Sequence, residues 1–299
     1  MTPIRIATRQ SKLALWQANH VAARLREEQG LEVELVRVTT TGDRIQNRTL
    51  AEIGGKGLFI KELESAMLEG RADLAVHSMK DVPGNLPEGF VLASILARED
   101  PRDVVVTASG ASLSEHGAGT RVGSSSLRRR YQLKHTFPAF DYRDIRGNVD
   151  TRLGKLWAGD VDVVILAAAG LKRLELEGEI TEYLETEHSV PAAGQGAVGI
   201  ECLAERTDVV EVVSRLNHAV TARCVTAERA FARRLNAECN QPVGAFAVVE
   251  ADDLVLHGFV ADAAGDRQIR DAVQGTPNVV ADLLAERFFA AGAEALLGE

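Results

Sequence analysis

The sequence predicts a multidomain α/β protein that ends in a small α+β domain. Its 299 residues exceed what one hydrophobic core ordinarily organises, so two or three domains are expected. Through about the first 190 residues, short apolar strands alternate with amphipathic helices, as in a doubly wound sheet. After about residue 220 the pattern changes to a long helix, strands that read as antiparallel, and a last helix.

Ile4 to Thr8 reads as the first strand, and Ala14, Ala18, Val21 and Leu25 recur at helical spacing until Gly30 stops that helix. Leu31 to Val38 alternates like a second strand. A polar stretch from Thr39 to Arg48 leads through Gly54-Gly-Lys-Gly57 into a helix whose Phe59, Leu63, Ala66 and Met67 share one face, the pattern of a mobile loop feeding a helix. Asp73 to Val76 and Phe90 to Ala97 are further strands, and Asp100-Pro-Arg-Asp103 closes the block. The second block has strands at Val104 to Val106, Arg121 to Gly123 and Asp162 to Leu166, with helices near Leu127 to Leu133 and Val149 to Trp157. Pro191 and Gly194 mark its boundary. Beyond it come a helix reaching Leu235, strands at Phe246 to Glu250 and Leu254 to Val260, and a helix from about Val279.

Composition narrows the function classes. With 45% hydrophobic and 26% charged residues the chain is globular, and no apolar run approaches the roughly 20 residues that span a bilayer. The N-terminus lacks an apolar stretch of signal-peptide length, so a cytoplasmic protein without membrane partners is expected. A net charge of −9 disfavours an electrostatic grip on nucleic acid, so any anion site must be local. Cys202, Cys224 and Cys239 are far apart and lack the close pairing of zinc or redox sites. Reduced thiols and no bound metal are expected.

Four motifs carry candidate chemistry. His77-Ser-Met-Lys-Asp-Val-Pro83 follows a buried strand, and open α/β sheets bind ligands at the carboxyl ends of their strands. Pro83 biases Val82 to an extended conformation, which holds Lys80 and Asp81 on an exposed turn. Gly123-Ser-Ser-Ser-Leu-Arg-Arg-Arg130 is another strand end, where backbone donors at a helix N-terminus with Arg128 and Arg129 suit an anion. The same triple arginine is also compatible with a solvated face or a nucleic-acid patch. Asp144 to Arg152 places Arg146 before a glycine turn and Arg152 in the following helix, and Gly170-Leu-Lys-Arg173 repeats the theme. Basic groups at several strand exits of one acidic chain suggest a small molecule bearing several carboxylates.

Other motifs carry less. Gly194-Gln-Gly-Ala-Val-Gly199 has dinucleotide-type spacing but follows Pro191-Ala-Ala instead of a strand, and Gly55-Lys-Gly57 lacks the hydroxyl residue of a phosphate loop. Cys239 stands apart from the other cysteines because it lies in a polar loop, Asn236 to Pro242, between a helix and a strand.

Taken together, Ile6-Ala-Thr-Arg-Gln-Ser11, Gly54-Gly-Lys-Gly-Leu-Phe59, His77 to Pro83, Ser125-Ser-Leu-Arg-Arg129, Arg146-Gly-Asn148, Gly194-Gln-Gly196 and Thr226-Ala-Glu-Arg229 closely resemble the porphobilinogen deaminase (hydroxymethylbilane synthase) family over nearly the whole chain. The resemblance implies a transferase of haem and porphyrin synthesis, and a monomer is expected. Such an enzyme joins porphobilinogen units head to tail on a covalent dipyrromethane, releases ammonia, and finally frees hydroxymethylbilane. It implies two doubly wound domains, like those of periplasmic binding proteins, joined by hinge strands, and a third domain carrying the anchor. The domains would be 1–98 with 196–217, 99–195, and 218–299.

By the same resemblance, Asp81 would be catalytic and Cys239 would carry the cofactor through a thioether. Lys80, Ser126, Arg128, Arg129, Arg146, Asn148 and Arg173 would bind the cofactor. Arg9, Ser11, Phe59, Arg146, Arg152 and Gln195 would bind substrate, the loop between Gly42 and Gly55 would act as a lid, and Lys56 beside it would belong to that lid. The family usually has two glycines before the anchoring cysteine, where this chain has Ala237 and Glu238. Glu52 stands at a lid position where some relatives have lysine.

Overall fold

The computed structural model describes residues 3–44, 60–237 and 241–298. Residues 45–55 of the expected lid, together with Lys56, Phe59 and Cys239, lie outside the described residues. The chain divides into two compact units, 1–99 with 197–223 and 100–196 with 224–299.

In chain order the first unit begins with β1 (Ile4–Thr8), α1 (Lys12–Gln29), β2 (Val33–Arg37), a one-turn helix α2 (Thr41–Arg44), α3 (Lys61–Leu68), β3 (Leu74–Ser78) and β4 (Phe90–Ile95). The second unit then supplies β5 (Asp103–Thr107), β6 (Arg121–Gly123), α4 (Leu127–Thr136), β7 (Asp141–Arg143), α5 (Val149–Trp157), β8 (Val163–Ala167), α6 (Ala168–Arg173) and β9 (Glu182–Leu184). The chain returns to the first unit with β10 (Val198–Leu203) and α7 (Thr207–Ser214). It ends with α8 (Ala219–Arg234), β11 (Val243–Glu250), β12 (Asp253–Ala261), β13 (Gln268–Gly275), α9 (Val280–Ala290) and α10 (Ala293–Leu297).

The first sheet has the order β2-β1-β3-β10-β4. β1 runs parallel to β2 and β3, whereas β10 lies antiparallel between β3 and β4. Alternation along the strands explains the layers, because successive side chains point to opposite faces. Ile6, Leu74, Val76, Ile200 and Cys202 meet Ala18, Val21, Ala22 and Leu25 of α1 and Val209 and Val213 of α7. Ala7 and Ala75 face the other way, onto Leu63, Ala66 and Met67 of α3. The ends of α1 follow capping rules: Ser11 Oγ accepts from the Ala14 N–H, and Gly30 closes the helix at a φ of 66°.

The second unit holds two sheets. One has the order β7-β6-β8-β5-β9, with β6 parallel to β7 and β8 and with β5 antiparallel to β8 and β9. The other is an antiparallel meander, β11-β12-β13. Its core joins Phe231 of α8 to Phe288 of α9, with ring centroids 5.0 Å apart and edge to face. Gly258 of β12 is required there, since a Cβ would come within 2.8 Å of Phe288 and 2.9 Å of Phe231. The opposite face, Phe246, Phe259 and Ala261, packs with Val190 and Tyr131, so α4 docks on the meander within this unit. The architecture is therefore two doubly wound α/β sheets and a small C-terminal antiparallel sheet, as the sequence predicts. No helix among the described residues is long and apolar enough to cross a membrane.

Candidate active site

β3 is buried along Leu74 to His77 and delivers its end to a single turn, Met79–Asp81. Met79 is fully buried and Val82 is extended before Pro83 with ψ at 124°, as the proline requires. The turn is thus pinned from beneath by an apolar side chain while its next residues face outward. The Met79 N–H also donates to Ala197 O at 3.0 Å. Asp81 is exposed, and no described residue pairs with it. Lys80 is half-buried beside it.

A cleft of about 70 Å³ opens at this strand end, and its walls include Arg9, Ser11, Gln17, His77, Ser78 and Asp81. Three of the expected residues, Arg9, Ser11 and Asp81, are therefore brought together. Beneath the cleft Gln17 Nε2 donates to Ser78 Oγ at 2.7 Å, and His77 Nε2 lies 2.8 Å from Glu201 Oε2 of β10. The histidine and carboxylate side chains are 5% and 0% exposed. Burial, and then the neighbouring Glu201, push the Glu64 carboxyl up.

In the second unit the strand ends converge on a carboxylate that sequence reasoning passed over. Asp103, the first residue of β5, has no exposed surface. Its Oδ2 accepts from Arg128 Nη1 at 2.6 Å and Ser189 Oγ at 2.8 Å. Its Oδ1 accepts from Arg128 Nη2 at 3.1 Å, Arg129 Nε at 2.8 Å and Gln195 Nε2 at 2.9 Å. Burial alone would push this carboxyl up. Arg128 and Arg129 outweigh it and hold the group well below the usual carboxylate range.

The arginines have further anchors. Arg128 Nη1 donates to Val190 O at 2.7 Å, while Arg129 donates to Ile165 O at 3.2 Å and to Gln195 Oε1 at 3.3 Å. So Arg128 and Arg129, expected to bind cofactor, and Gln195, expected to bind substrate, form one buried cluster. Arg173 donates to Gly196 O at 2.6 Å, and Arg152 Nε to Gly147 O at 2.9 Å. Arg146 is half-buried. Gly147, at a φ of 115°, is held where a Cβ would collide with Thr151 at 2.6 Å. Ser126 and Asn148 occupy N-caps, accepting from Arg129 N and Thr151 N respectively, so both have helix-starting roles. Cys202 and Cys224 are buried, and burial pushes the Cys202 thiol up to about 11, away from reactivity.

Asp103, Ser189 and Glu201 carried no motif, and His77, which opens the His77-to-Pro83 motif, had no role of its own assigned. The one signal for Asp103 was a charge directly ahead of Val104-Val-Val106, a strand too apolar to leave that charge in water.

The family model described as porphobilinogen deaminase, dipyromethane cofactor binding domain, matches residues 4–211, and that of the porphobilinogen deaminase C-terminal domain matches residues 222–289. The porphobilinogen deaminase of Nitrosomonas europaea is 52% identical over 298 residues, covering 98% of this chain and 97% of the relative. That of Laribacter hongkongensis is 54% identical over 266 residues, covering 89% and 86%. Among solved structures, a periplasmic substrate-binding protein of an ABC transporter from Coxiella burnetii aligns at 10% identity with a TM-score of 0.47, over 73% of this chain and 94% of that one. On the two family models and on relatives matched nearly end to end, the chain belongs to the porphobilinogen deaminase family.

Proposed function

We propose that the chain condenses porphobilinogen stepwise, head to tail, on a dipyrromethane joined by a thioether to Cys239, and then releases linear hydroxymethylbilane by hydrolysis. In each addition the carbon–nitrogen bond of the aminomethyl group breaks and ammonia leaves. A carbon–carbon bond forms to the growing chain, and a pyrrole ring proton returns to solvent. The observation that carries this is the exposed carboxylate of Asp81, set on a pinned turn in the same cleft as Arg9 and Ser11, in a chain of this family.

Asp81 would accept pyrrole N–H groups and steady the positive charge that develops as ammonia departs, which is electrostatic and acid/base work. Arg9, Ser11, Phe59, Arg146, Arg152 and Gln195 would hold the acetate and propionate groups of the incoming substrate. Lys80, Ser126, Arg128, Arg129, Arg146, Asn148 and Arg173 would hold those of the cofactor. Arg128 and Arg129 both donate to the Asp103 carboxylate, and guanidinium forks of this kind suit acetate and propionate groups. When bound, the dipyrromethane supplies the nucleophilic pyrrole carbon from which the chain grows.

The reading also takes 1–98 with 196–217, 99–195 and 218–299 as three domains, with Lys56 in a lid. It takes the protein as a cytoplasmic monomer that needs no metal. Incubation of the purified protein with porphobilinogen tests the function: ammonia release matched to porphobilinogen consumption supports it, and an unchanged porphobilinogen pool refutes it.

A further inference from the structure

Arg128 and Arg129 are neighbours on α4, so their side chains leave the helix about 100° apart, the turn per residue of a helix with 3.6 residues per turn. Nothing in the helix would bring their guanidiniums to one point. They nevertheless converge, because Asp103 takes Arg128 on both oxygens and Arg129 through Nε. Ser189 Oγ and Gln195 Nε2 hold that carboxylate from further sides. Neutralising one buried cation would need one partner and no such convergence. Here one carboxylate fixes two forks, and the second fork is tied to the sheet through Ile165 O.

We propose that Asp103 is a positioning residue: it presets Arg128 and Arg129 as a pair of forks aimed at the carboxylates of the polycarboxylated ligand. This rests on the proposed function, in which those arginines bind acetate and propionate groups. Asp103 itself touches no reacting atom. Its work is geometric, since a fork that must be rebuilt at each binding event loses the advantage of preorganisation.

The test uses the holoenzyme and reads KM and kcat for porphobilinogen separately, alongside the folded fraction from near-UV circular dichroism. Asp103→Glu keeps the charge but moves the carboxylate by one methylene. In Asp103→Asn the amide nitrogen offers hydrogens to guanidiniums that need acceptors. For both folded variants, kcat/KM is expected to fall about 100-fold, carried mainly by kcat because a displaced cofactor misplaces the carbon that attacks, the scale of a displacement near 1 Å. A counter-ion role alone predicts that Asp103→Glu restores kcat to the wild-type value, and that result would overturn the proposal.

If neither variant folds, Ser189→Ala decides, because it removes one donor from the same carboxylate and touches neither arginine. A kcat lowered about threefold, the scale of one weakened hydrogen bond, supports the inference, and an unchanged kcat overturns it. Wild-type turnover in the same assay separates the two levels. Its absence sinks the functional reading and this inference together, whereas turnover with an unmoved kcat in the variants sinks the inference alone.

Discussion

Two aspartates at strand ends, Asp81 after β3 and Asp103 at the start of β5, occupy opposite environments. Asp81 is exposed on a short turn, while Asp103 has no exposed surface and is gripped by two guanidiniums, a hydroxyl and an amide. The surroundings of a carboxylate decide what it can do. A group open to solvent on a braced turn can meet a substrate's N–H or a developing cation, whereas a buried group with every lone pair engaged can only hold its neighbours in place. The two sheets share one layout, four strands parallel or nearly so in role and one antiparallel partner, yet one presents its acid and the other conceals it.

The sharpest way to break this contrast is to remove each charge in turn. Asp81→Asn should keep the fold and the covalent cofactor while kcat falls about 1,000-fold, about 4 kcal/mol of barrier, in a steady-state assay. Near-normal turnover would remove Asp81 from the chemistry. Asp103→Ala should act on stability instead. Stranding two buried guanidiniums costs about 3 kcal/mol or more, to be read from urea unfolding midpoints. An Asp103→Ala protein as stable as the wild type would mean that the cluster is not held by this carboxylate.

Acid should sharpen the same difference. The folded-state pKa of Asp103 is depressed, with burial opposing the shift and Arg128 and Arg129 driving it, so its contribution is present above the unfolded value, near 3.9, and is lost as pH falls below it. Asp162, beside Arg121, is held at about 2, but this pair is partly exposed and counts for less. Urea midpoints should therefore be nearly flat from pH 7 to 5 and fall from about pH 4 downward. The fall should be shallower in Asp103→Asn, and an identical slope in that variant would contradict the assignment.

The smallest effect concerns the caps. Ser126→Ala loses the acceptor for the Arg129 N–H and should cost about 1 kcal/mol of stability from capping alone. A fall in kcat out of proportion to that loss would assign Ser126 a direct role in holding the cofactor as well.

How much of this was legible in the sequence depended on the kind of signal. β1, α1, β3, α5 and the meander strands β11 and β12 announced themselves through period and punctuation. Gly30 and Pro83 act as expected, at a helix end and after an extended residue. β10 escaped notice, because Glu201 interrupts its apolar run and only the buried His77 across the sheet explains that charge. β13 was hidden for another reason. It is an edge strand of the meander, and its half-exposed residues from Gln268 to Gly275 show little apolar alternation.

Asp81, Arg128 and Arg129 stood out by their motifs at strand ends and by family resemblance, and Gln195 by the resemblance alone. That Arg128, Arg129 and Gln195 share one acceptor did not, because Asp103, Ser189 and Gln195 come from segments far apart in the chain and meet only once β5 and the segment after β9 are in place. Ser11, Ser126 and Asn148 were expected as ligand contacts. Their hydroxyl and amide groups also start helices, a second use of the same polar chemistry that position alone could have suggested.

The covalent primer ties these residues to one reaction, and intact-mass spectrometry of the purified protein, made in a cell that produces porphobilinogen, measures it directly. The expected result is a mass above that of the bare 299-residue chain by one dipyrromethane, lost in Cys239→Ala and retained in Asp81→Asn. A wild-type mass equal to the bare polypeptide, or an adduct that survives Cys239→Ala, would contradict the account.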